Sequence, residues 1–238
     1  KWTKALVDYQ TFQTLEKEQQ SKEEWLAELG QHQSSIQPVV DFLCHMGYIR
    51  HSDAQTLKNS DLELKGILAT EINEGHPILM TELYVDQTFH HLSGDELVCV
   101  LATFQEKKDT EDQPSLSELR VPYKVTGAIQ HLQTMAKEIE EMEHRTGYPV
   151  EGYWNTSTVM VEPMWRWMDG EHASVICAEY NIFEGNFIRS ILKIANMLDE
   201  WLSMATYCQH TEQVEKITEV KSRLIRDVVV SDSLYLRI

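Results

Sequence analysis

Between residues 186 and 205 the apolar positions recur at helical spacing. Phe187, Ile188, Ile191, Ile194, Ala195, Leu198, Trp201, Leu202 and Ala205 share one wide face, the pattern of a helix that packs on a core. Arg189, Lys193, Asn196 and Glu200 make a single polar stripe on the same segment, because side chains three or four apart stand above one another. The spacing predicts a helix from about Gly185 to Tyr207.

The same periodicity predicts helices along most of the chain. Leu6, Tyr9, Phe12, Leu15, Trp25, Leu26 and Leu29, set among Gln, Glu and Lys, form a thin apolar seam over residues 3–29, as in a long stalk helix or a bland surface helix. Residues 35–46 form a second helix closed by Gly47, since glycine after the last periodic position is a stop signal. Tyr48-Ile49-Arg50 reads as a short strand, so one short β pair is expected near residues 48–64. LKGILATEI (64–72) and ILMTELYV (78–85) are further helical pieces.

Ser93 and Glu96 have the spacing of a capping box and open a helix through ELVCVLATFQEKK. Ser115 and Glu118 repeat the spacing and predict the start of a long amphipathic helix to about Arg145, after the polar loop KKDTEDQPS. Two short helices, Thr158–Met168 and Ala173–Tyr180, are joined at Asp169-Gly170, where Asp169 is read as an N-capping residue. A last helix runs from about Glu212 to Ser231. Strict alternation is nowhere sustained. The expected fold is therefore all-α: a multi-helix bundle over residues 31–238 with a long central helix, preceded by a stalk helix over 1–30.

Charge changes this picture. The 238 residues carry a formal net charge of -17, which argues against a surface that grips a phosphate backbone by itself, since such binding rests on clustered Lys and Arg. Any nucleic-acid role is then local, and Arg189 with Lys193 becomes the conspicuous cationic spot. Cys44, Cys99, Cys177 and Cys208 form no CxxC pair and read as reduced thiols of an intracellular protein. No apolar run has the length of a membrane span. The chain begins at Lys1, which reads as a processed chain or a fragment.

Candidate chemistry is sparse. There is no GxxxxGK[ST] phosphate loop and no GxGxxG. Asp169-Gly170-Glu171-His172 has the letters of a helicase box in the wrong order and without a preceding strand. His90 and His91 beside Asp95 and Glu96 lack metal-ligand spacing, so a solvated helix entry is the better reading. No catalytic residue and no metal ligand is expected.

Several segments, in order, carry a resemblance. Phe183, Glu184, Gly185, Ile188 and Arg189 match a "vfEGsiiR" helix, and Arg226, Asp227, Val228, Ser233, Leu234, Tyr235 and Leu236 match a closing "RdIvf.aSLYl" segment. Upstream, Lys65, Gly66, Ala69, Glu71, Ile72, Thr81, Glu82, Leu83, Leu92, Glu96, Leu97, Phe104 and Glu106 fall on a pattern running from "lKG" through "tEL" to "fqE", and Trp167, Gly170 and Cys177 on a "Wa.G" segment. Over about residues 40–238 the chain resembles the C-terminal helical (DSHCT) domain of superkiller-type DExH RNA helicases of superfamily two.

That resemblance implies a part of an ATP-dependent RNA helicase that packs on the motor domains and lines the path of single-stranded RNA with a ratchet helix. It places RNA contact on Arg189 and near Glu106, with Lys193 and Asn196 as neighbours on the helix. It also implies exosome-type cofactor proteins as partners, no membrane, and an intracellular location, nuclear or cytoplasmic. ATP and magnesium are expected on motor domains outside these residues, not on this chain. One departure from the family pattern is Leu192-Lys193, where two adjacent basic residues are usual. Two other readings stay open: a motor-less helical protein-interaction module, suggested by the acidic charge and the seam at Tyr9, Phe12 and Trp25, and a DNA strand in place of RNA.

Overall fold

The computed structural model describes residues 36–105, 113–146 and 152–226, together with Lys22. The expected stalk helix over 3–29 and the closing segment from Asp227 onward lie outside the described residues, apart from Lys22, which is helical. The chain divides into two compact units, residues 1–62 with 143–149, and residues 63–142 with 150–238.

In the first unit, helix α1 covers residues 36–45. Its end is a Schellman motif: Tyr48 N–H reaches the Leu43 carbonyl at 2.9 Å and Gly47 N–H the Cys44 carbonyl at 3.0 Å. Gly47 sits at φ 78°, which a Cβ would disfavour, so the glycine stop read from the sequence is the one used. The expected β pair contracts to one antiparallel bridge between Ile49 and Leu62, with Arg50 N–H on the Asp61 carbonyl at 2.9 Å. Between them Asp53 accepts from Gln55 N–H and the Thr56 hydroxyl, a side-chain turn that replaces further ladder bonds.

Among the described residues the second unit is built of helices: α2 (Leu64–Ala69), α3 (Pro77–Val85), α4 (Gly94–Leu101), α5 (Tyr123–Thr146), α6 (Val161–Met168), α7 (Ala173–Tyr180), α8 (Glu184–Tyr207) and α9 (Thr211–Leu224). The last turn of α5 falls in the first unit. α8 packs along α9, and α4 lies against α6, α8 and α9. Leu97, Leu101, Trp167, Phe187, Ile191, Leu198 and Trp201 are fully or almost fully buried. Among the described residues no helix is long and apolar enough to cross a membrane.

Local chemistry accounts for several helix bounds. Ser93 and Glu96 form the expected capping box: the Ser93 hydroxyl accepts from Glu96 N–H at 3.2 Å and Glu96 accepts from Ser93 N–H at 2.7 Å. Pro77 occupies the first turn of α3, where its missing N–H costs nothing. α4 ends earlier than expected, at Leu101, and tightens into a 3-10 turn over Ala102–Phe104. α2 likewise stops at Ala69 rather than at Ile72.

Ser115 and Glu118 correct another expectation. They do bond as a capping pair, Glu118 accepting from Ser115 N–H at 2.7 Å, yet they close only a turn over 116–118. The helix starts at Tyr123. Pro122 biases Val121 away from helical backbone and has no N–H to continue a ladder. Asp169 is likewise not an N-cap: it closes α6, its N–H on the Trp165 carbonyl, while His172 precedes α7. α9 stops at Leu224, where Ile225 leaves helical backbone.

The α4–α9 crossing is very close. A Cβ built on Gly94 would stand 2.5 Å from Val220 Cβ, so the backbone approach requires glycine. Gly94→Ala is expected to lower stability by roughly 1–2 kcal/mol, an overpacking cost of about 1–3 kcal/mol less the small gain in helix propensity. The double variant Gly94→Ala, Val220→Ala is expected to lose less than the sum of its single variants in chemical denaturation. Strict additivity would refute the contact.

Candidate nucleic-acid interface

α8 is framed before it begins. α7 ends at Asn181 in left-handed backbone, φ 52°, and Ile182 N–H returns to the Cys177 carbonyl at 3.0 Å. Phe183 is then the N-cap in extended backbone, its carbonyl accepting from Asn186 N–H at 2.9 Å and Phe187 N–H at 3.0 Å. The apolar face is the expected one, since Phe187, Ile191, Ile194, Ala195, Leu198, Trp201 and Ala205 are all buried. Ile188 and Leu202 lie at its margins, half-buried. Met197 and Met204, unassigned from the sequence, are also buried.

The polar stripe splits in two. Its first half meets a groove of about 530 Å³ lined by Gln105, Val159, Met160, Asn181, Ile182, Phe183, Asn186, Arg189, Ser190 and Lys193. Arg189 is exposed and has no hydrogen bond or ion pair among the described residues. Lys193 is half-buried and lies 4.0 Å from the Glu74 carboxylate. Asn196 is exposed but is not a lining residue of the groove. Glu106 lies outside the described residues; its neighbour Gln105 lines the groove and donates to the Ser190 carbonyl at 3.4 Å.

Glu200, at the far end of the stripe, does not face solvent. Glu200 is 8% exposed, and its carboxylate accepts from three consecutive backbone N–H groups, of Asn73 at 2.7 Å, Gly75 at 3.1 Å and Glu74 between them. Three donors on one carboxylate compensate its burial. They also fix the 73–75 loop just before α3. Glu200 is thus a structural tie and Lys193 lies near Glu74, whereas Arg189 has no partner among the described residues.

Other residues singled out in the sequence find structural roles. Lys65 and Glu82 pair at 2.9 and 3.0 Å, joining α2 to α3. The Arg226 guanidinium lies over the Trp167 ring at 3.7 Å and donates to the Glu171 carbonyl. Trp167 Nε1 donates to the Leu224 carbonyl at 2.9 Å, so the end of α9 is fastened to α6. His90 packs among Tyr84, Trp201 and His210 with Nε2 on the Tyr84 carbonyl at 2.8 Å, and burial pushes its pKa down. Sequence reasoning missed the groove residues Phe183, Asn186 and Gln105 as site residues. The signal for Phe183 was an aromatic beside, rather than on, the apolar face.

Known proteins supply the remaining finding. The chain is 29% identical over 186 residues to the ATP-dependent RNA helicase mtr4 of Schizosaccharomyces pombe, covering 76% of this chain and 16% of that protein. It is 25% identical over 197 residues to the Exosome RNA helicase MTR4 of Homo sapiens, covering 82% and 18%. It is 25% identical over 179 residues to the DExH-box ATP-dependent RNA helicase DExH10 of Arabidopsis thaliana, covering 74% and 18%. The chain thus spans less than a fifth of the length of these relatives. The family model of the DSHCT (NUC185) domain matches residues 59–231, from the turn before α2 through α9. By that match, which takes in the whole of the helical second unit's described core, the chain belongs to the DSHCT domain family.

Proposed function

We propose that the chain is the C-terminal helical domain of an ATP-dependent RNA helicase and that its α8 groove guides single-stranded RNA. The observation that carries this reading is Arg189: an exposed guanidinium on a rigid helix, at a groove, with no partner among the described residues, in a chain of net charge -17. In a strongly acidic protein with many carboxylates to pair with, a cation left open is available to a phosphate. The membership in the DSHCT family and the names of the relatives supply the class of strand.

In this reading Arg189 meets the backbone of the strand and Lys193 adds charge beside it. Asn196, one turn beyond Lys193, and Glu106, which follows the groove residue Gln105 in sequence, complete the candidate contacts. α8 does no chemistry. It holds these groups at fixed spacing while motor domains, which bind ATP and magnesium, move the strand past them. Exosome-type cofactor proteins are partners of the whole assembly.

The test uses the native polypeptide that carries these residues. An immunoblot with peptide mapping is expected to show a band several times larger than 27.7 kDa, with peptides holding a phosphate loop. In that protein Arg189→Ala is expected to weaken binding of single-stranded RNA uniformly across sequences and to reduce the salt slope by about one. Its melting temperature is expected to be unchanged, because the side chain is exposed and has no partner among the described residues. Unaltered RNA affinity and unwinding would make Arg189 a solvated side chain and end this reading. A native band at 27.7 kDa would favour a motor-less interaction module.

A further inference from the structure

Phe183 is 82% exposed, whereas Phe187 one turn on is fully buried. The exposed ring stands at a groove, where aromatic side chains are the usual apolar contacts of a ligand. The ring is not carried on a loose tether: its backbone is the N-cap of α8 and is bonded into the first turn. It lines the same groove as Asn186, Arg189, Lys193 and Gln105.

We propose that Phe183 is a base-stacking platform, taking one unpaired nucleobase of the strand while Arg189 holds the adjoining phosphate. The inference rests on the strand-guiding reading above and adds the subsite that sees the base. Each component of a nucleotide has a matching group here. The aromatic face suits the base ring, the exposed amide of Asn186 offers donors and an acceptor to its edge, and the two cations suit the phosphate. A protein segment fits this set less well, because lysine is depleted at protein interfaces and Lys193 lines the same groove. Stacking is tolerant of sequence, since every base has a π face, as a guide that must pass any strand requires.

The experiment compares a short oligoadenylate with a ribose-phosphate chain of the same length that lacks bases, both titrated at one salt concentration against the native polypeptide that carries these residues. Phe183→Ala is expected to weaken oligoadenylate binding by about 5- to 100-fold and to leave the base-free chain unaffected. Phe183→Trp is expected to restore or tighten oligoadenylate binding. Arg189→Ala is expected to weaken both. The fold is not at stake in the Phe183 variants, because the ring is exposed. Equal effects of Phe183→Ala on the two ligands, or no effect on either, overturn the stacking subsite while the guiding reading stands, and the second result would assign the ring to a protein surface. Failure of the unmodified native polypeptide to bind either ligand overturns both.

Discussion

Leu198→Ala is expected to lower the free energy of unfolding by about 2–5 kcal/mol, the range for a large aliphatic side chain removed from a well-packed interior. Leu198 has no exposure at all. It lies midway along α8, the helix that packs on α4, α7 and α9, with Trp201 and Met197 buried beside it. Walls contributed by several helices cannot all collapse inward, so most of the cavity persists and the loss falls above the transfer term alone. Leu202→Ala, at a half-buried position on the same helix, is the control and is expected to cost clearly less. Both are read by chemical denaturation, with an unchanged dependence on denaturant showing that the native state is intact. Equal midpoints for Leu198→Ala and the parent would mean that α8 presents a different face to the core.

The second large effect is expected at Glu200. Glu200→Ala removes the acceptor for the N–H groups of Asn73, Glu74 and Gly75 at once and is expected to cost about 2–4 kcal/mol, since each buried donor left unmatched carries a penalty of about 1–3 kcal/mol and the loop edge can partly rehydrate. Glu200→Gln is expected to lose less, keeping one oxygen but turning an N–H donor toward backbone donors. Amide hydrogen exchange separates this mechanism from general destabilisation. The three amides are expected to exchange faster than those of α3 in the Glu200→Ala protein. Uniform acceleration across the second unit would refute a local tie. Because Lys193 lies near Glu74, release of this loop is also expected to alter the groove end of α8, which links a stability residue to the candidate interface.

Much was legible from local chemistry. α7 has the bounds that the sequence predicts, α8 begins one residue earlier, and the Ser93–Glu96 box and the Gly47 stop are used as written. Each depends on side chains and backbone within one or two turns, so the information is contiguous. Ser115 and Glu118 show the limit even there: their pair forms, but Pro122 a few residues on delays the helix to Tyr123.

The site divides in the same way. Sequence alone determined that α8 is amphipathic, that Arg189 and Lys193 share one stripe, and that the segments around them resemble a helicase domain. Only the tertiary structure decided what each stripe residue does. Glu200 and Asn196 look alike as polar positions on one helix face, yet the partners of Glu200 lie 125 to 127 residues away along the chain, and no spacing rule reports contacts at that separation. Phe183 shows the converse. Its type predicts burial, and its exposure follows from the turn at Asn181, which ends α7 and starts α8 with this residue outside the packed face. Periodicity fixes which side chains share a face. Burial, partnership and openness to a ligand depend on what the rest of the fold places opposite that face.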